Sequence, residues 1–180
     1  MKLIYNVFNF YISASIHVAL AILAMVGVTL FEYNLEVPFI LWPFVFFGSI
    51  TGYNFVKFAK IAGLKHSSLT NSFKLIQLFS FLCFGITVFF AFQFSFKTLI
   101  TVGIFGLLTF FYAVPLLKQK NLRTFSGLKI FVVALVWAGV TVFVPMIASE
   151  MKLTLDVWLT FIQRFFIVVT LTLPFEIRDL

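Results

Sequence analysis

Six apolar runs divide the sequence, at about 7–31, 37–58, 73–92, 98–117, 128–148 and 155–175. Each is close to the roughly 20 residues a helix needs to cross a bilayer. The runs are continuous, whereas a barrel strand is about 10 residues of alternating character, so the expected fold is all-α. The expectation is an integral membrane protein, a bundle of about six transmembrane helices forming one domain over 1–180. Composition agrees: 62% of the residues are hydrophobic and 11% charged, against about 45–50% and 25% in soluble domains. That excludes an ordinary soluble enzyme, a disordered chain and a nucleic-acid-binding module.

The formal charge of +7 reports orientation in such a chain. Lys2, then Lys57, Lys60, Lys65 and Lys74, then Lys118, Lys120, Arg123 and Lys129, and finally Arg178 fall on one side of six alternating spans. The other side holds Glu32, Glu36, Glu150 and Asp156 with only Lys97 and Lys152. Ten basic residues against two place both termini in the cytoplasm, with a bacterial inner membrane as the expected location. The single cysteine, Cys83, excludes an intramolecular disulfide and a zinc site of paired thiolates. Lys2 and the small residues Ser13-Ala14-Ser15 resemble parts of a signal peptide, but the strong apolar run follows the small residues instead of preceding them. The segment is therefore expected to be a first span.

Ionisable groups inside spans are costly and are candidate sites by default. His17 falls near the middle of the first run and Arg164, beside Gln163, near the middle of the sixth. His17 is expected either to bond between helices or to serve a site. Arg164 is always charged, so it must meet a carboxylate, carbonyls, water or an anionic ligand. Lys57, near the end of the second run, either snorkels to the interface or faces a site.

Three elements on the cytoplasmic side carry more chemistry. In Gly52-Tyr53-Asn54-Phe55-Val56-Lys57-Phe58, Asn54 and Lys57 share a helix face. In Pro174-Phe175-Glu176-Ile177-Arg178-Asp179-Leu180, Glu176 and Asp179 do the same, either as a solvated helix end or as two carboxylates spaced to hold magnesium together with phosphate oxygens. The third runs from Tyr112 through Pro115 to Lys118, Lys120 and Arg123, whose cations suit diphosphate or anionic headgroups.

In this order, over about residues 50–180, the three elements resemble the UbiA-type superfamily of intramembrane prenyltransferases. The resemblance implies a helical bundle that binds an isoprenoid diphosphate through magnesium. It also implies transfer of the prenyl group to an aromatic, quinone-precursor or lipid acceptor. Tyr112, Pro115 and Lys118 match the family's Y-x-x-P-x-x-K pattern, and Glu176 and Asp179 match the first two acidic positions of its second metal motif. By that resemblance Lys57, Tyr112 and Lys118 are the expected catalytic residues. Asn54, Lys118, Lys120 and Arg123 are expected on the diphosphate, with Glu176 and Asp179 on magnesium. The first motif departs from the family, because Asn54, Lys57 and Ile61 stand where it has three aspartates. The sequence also ends at Leu180, where the family continues into three further spans. Three functions follow as expectations: a prenyltransferase, a silent homologue or shortened product that binds an isoprenoid or a membrane partner, and a small transporter or scaffold. In a silent homologue, Lys57 is expected to pair with Glu176 or Asp179 in the metal's place.

Overall fold

A computed structural model describes residues 2–62, 71–114 and 128–178. Among them lie seven helices and no strand: α1 (Lys2–Ser13), α2 (Ile16–Glu32), α3 (Leu41–Ala62), α4 (Asn71–Ala91), α5 (Phe96–Ala113), α6 (Leu128–Ala148) and α7 (Leu155–Arg178). Helices α4 to α7 are long and apolar enough to cross a membrane, and α1 with α2 qualifies only as a bent pair. These are the elements of a helical membrane protein. Lipid cannot satisfy backbone polar groups, so each spanning segment must close its own hydrogen bonds as a helix.

Two sequence expectations change. The first run is not one helix: α1 and α2 meet at a 60° bend. There, buried Ser15 takes φ 62°, a left-handed conformation that ends α1. The second run forms α3, whose 22 residues are long enough to span. With Asn54, Lys57 and Lys60 it is less apolar than its neighbours and is not among the four helices above.

The chain divides into two compact units, Met1–Ala24 with Phe39–Gln93, and Met25–Pro38 with Phe94–Leu180. In the first unit α3 packs against α4. Buried Ala19, Ile50 and Cys83 form its core with Phe46, Phe47 and Phe79 around them. Ser15 lies level with Asn54 and Ala19 with Ile50, so the start of α2 runs antiparallel to α3.

In the second unit α6 is flanked by α5 and α7. Val142, Phe143, Met146 and Val157 are its buried centre, with Phe143 stacked on Phe161 at 4.8 Å between ring centroids. Gly139 admits α5 closely, because a Cβ there would fall inside the ring of Phe105. Helices α2 and α6 both end in left-handed residues, Asn34 (φ 47°) and Glu150 (φ 56°). The next amide reaches back in each case, Leu35 N–H to Leu30 C=O at 2.9 Å and Met151 N–H to Met146 C=O at 3.0 Å.

Candidate functional site

The α1–α2 break frees carbonyls that α3 takes up. Asn54 is fully buried, and its Nδ2 donates to the Ala14 carbonyl at 3.2 Å and to Ser80 Oγ of α4 at 2.8 Å. Its Oδ1 accepts from Ser15 Oγ at 2.8 Å. One helical turn on, exposed Lys57 donates from Nζ to the Ser13 carbonyl at 2.9 Å, placing a cation at the negative end of α1. Asn54 and Lys57 do share a face, as their spacing predicts, and that face clasps the elbow.

His17 stands in the first turn of α2, exposed, with its ring 5.8 Å from Tyr11. The sequence placed it in the middle of a span. The break moves it to the start of one, where a polar ring is less costly.

Arg164 is buried in the middle of α7, as expected, at 6% exposure. Its Nη1 donates to the Met25 carbonyl at 2.7 Å and its Nη2 to Thr29 Oγ1 at 3.4 Å. Thr29 in turn donates to the Thr141 carbonyl of α6 at 2.9 Å. That carbonyl lies four residues before Pro145, which has no N–H to give it, so the hydroxyl of α2 replaces the bond the proline removes. Of the partners the sequence left open for Arg164, the structure shows a carbonyl, and it adds a hydroxyl that the sequence did not suggest.

Toward the end of α2, Thr160 Oγ1 donates to Glu32 Oε1 at 3.2 Å and bonds the Tyr33 hydroxyl at 2.7 Å. Glu32, Tyr33, Asp156, Leu159, Thr160 and Gln163 line an open cleft of about 520 Å³. Sequence reasoning missed Ser15, Thr29, Tyr33, Ser80 and Thr160. A proline inside an apolar run was the available signal for Thr29, since it announces a carbonyl needing a donor.

Of the remaining expected site residues, Tyr112 is buried in the last turn of α5 and Glu176 lies in the last turn of α7. Lys118, Lys120, Arg123 and Asp179 lie outside the described residues. Among the described residues no three His, Cys, Asp or Glu side chains gather as a metal would require. The residues at the end of α3 do not fit magnesium. Asn54 has both amide atoms engaged and Lys57 is a cation, so neither offers a free oxygen to the ion. Comparison with protein-family models, curated proteins and solved structures finds no match.

Proposed function

We propose that this chain is a UbiA-like membrane protein that takes an isoprenoid diphosphate at the membrane face bearing its basic loops, both termini being cytoplasmic in a bacterial inner membrane. The binding residues lie in the second unit. Lys118, Lys120 and Arg123 meet the diphosphate, Tyr112 assists, and Glu176 with Asp179 holds magnesium. The observation that carries this reading is the buried Tyr112 in the last turn of α5, immediately before the Pro115 and Lys118 of the family-like pattern, with α7 and its terminal Glu176 in the same unit. Prenyl transfer to an aromatic or quinone-precursor acceptor is the activity the resemblance implies.

One observation favours a second reading, binding without transfer. The positions of the first metal motif are occupied by Asn54 and Lys57, whose polar atoms fasten the α1–α2 elbow. A site with one metal motif stabilises less of the charge that develops on a departing diphosphate.

The test is binding of farnesyl diphosphate to the purified, detergent-solubilised chain with and without magnesium. Glu176→Ala with Asp179→Ala, and Lys118→Ala with Lys120→Ala and Arg123→Ala, are the variants, each checked for helicity. Magnesium-dependent binding that falls at least tenfold in both sets is expected. No binding by folded protein, or binding that neither set weakens, overturns the proposal. Release of inorganic diphosphate in the presence of an aromatic acceptor separates transfer from binding alone.

A further inference from the structure

The 12 residues of α1 rise about 18 Å along their own axis, short of a hydrocarbon core about 30 Å thick. With the 60° bend, only about 9 Å of that rise lies along the direction of α2. In sequence, Lys2, Asn6, Asn9 and Ser13 fall at i, i+4, i+7 and i+11, one narrow polar stripe on an otherwise apolar helix. The apolar side is open: Ile4 is 75% exposed, Tyr5 67% and Phe8 57%. A helix continuing a span through hydrocarbon would not keep a polar stripe along its whole length.

The level of the elbow is fixed by α3. Ser13 and Ala14 are bonded by Lys57 and Asn54, within the last turns of a helix that ends at Ala62. Beyond that level α1 turns aside, and Phe10 packs on Phe79 of α4 at 5.3 Å. Phe79 shares its helix face with the exposed Leu75, Leu78 and Leu82 of α4, a helix apolar enough to span, so α1 leans on the outer apolar face of that helix. We propose that α1 is an amphipathic helix lying in the membrane interface, its Ile4–Tyr5–Phe8 face in the lipid boundary and its foot fastened by Asn54 and Lys57. The occupant of that face is lipid because the surface it extends is the outer face of a spanning helix.

The experiment is a spin-label scan of positions 4 to 12 in the full chain, reconstituted in vesicles of phosphatidylcholine with one third phosphatidylglycerol. Cys83→Ala is the background, and because Cys83 is buried the native chain serves if that variant does not fold. Oxygen accessibility should peak at Ile4 and Phe8. Accessibility to a water-soluble nickel complex should peak at Asn6 and Asn9, with a period near 3.6 residues. Uniformly high oxygen and low nickel accessibility would make α1 part of a span. Uniformly high nickel accessibility would lift it off the membrane, and either result overturns the proposal.

Discussion

The bond from Thr29 to the carbonyl that Pro145 leaves free makes a prediction with an internal control. Thr29→Val keeps the side chain's shape and removes its hydroxyl, leaving the fully buried Thr141 carbonyl without the donor that replaces the proline's missing N–H. Hydrogen bonds between membrane helices contribute about 0.6 kcal/mol on average and up to about 1.7. An orphaned buried acceptor costs about 1–3 kcal/mol. Arg164 Nη2 also loses its partner, so the expected loss for Thr29→Val is about 2 kcal/mol. Pro145→Ala supplies residue 145 with an N–H placed four residues after Thr141, the ordinary helical partner of that carbonyl. In that background Thr29→Val should cost only about 1 kcal/mol, because only the long contacts of the hydroxyl with Arg164 (3.4 Å) and the Met25 carbonyl (3.3 Å) remain to be lost. The assay is reversible unfolding in mixed detergent and dodecyl sulfate micelles, followed by circular dichroism, for the four proteins of the double-mutant cycle. An equal cost of Thr29→Val in both backgrounds would refute the reasoning, since the hydroxyl would then not be serving the carbonyl that proline frees.

The same unfolding assay checks changes at three further places. Asn54→Ala removes three hydrogen bonds and should cost about 2 kcal/mol. Asn54→Asp should cost more, because an acceptor oxygen would face the Ala14 carbonyl where Nδ2 now donates; a carboxylate variant as stable as the parent would contradict the clasp. Ser15→Gly should be less damaging than Ser15→Ala by about 1 kcal/mol, since both lose the hydroxyl and only glycine relieves the left-handed backbone. Gly139→Ala should cost about 1–3 kcal/mol by forcing the Phe105 ring off its seat, and Phe105→Leu should recover part of that loss; additive losses would place the strain elsewhere.

Much of the architecture was legible because a bilayer imposes its demands locally. The runs at 73–92, 98–117 and 128–148 correspond to Asn71–Ala91, Phe96–Ala113 and Leu128–Ala148, each within a few residues at both ends. A segment that must bury its own backbone in hydrocarbon announces itself by apolar length, and nothing from elsewhere in the chain is needed to specify it. Of the candidate site, spacing correctly put Asn54 and Lys57 on one face and Arg164 inside a helix. The partners were not legible. Arg164 meets a carbonyl 139 residues away, and Ser15 meets an amide 39 residues away.

The break after Ser13 shows where sequence stops. Ser13-Ala14-Ser15 is compatible with an unbroken helix, and the apolar run passes through it. What ends α1 there is the set of donors on α3, Asn54 and Lys57, which satisfy the carbonyls a broken helix exposes. Apolar length by itself determined that the chain forms membrane helices and roughly where they lie. Only tertiary structure decided that the first is two helices at an angle, because satisfying a freed carbonyl depends on which donor another helix brings beside it.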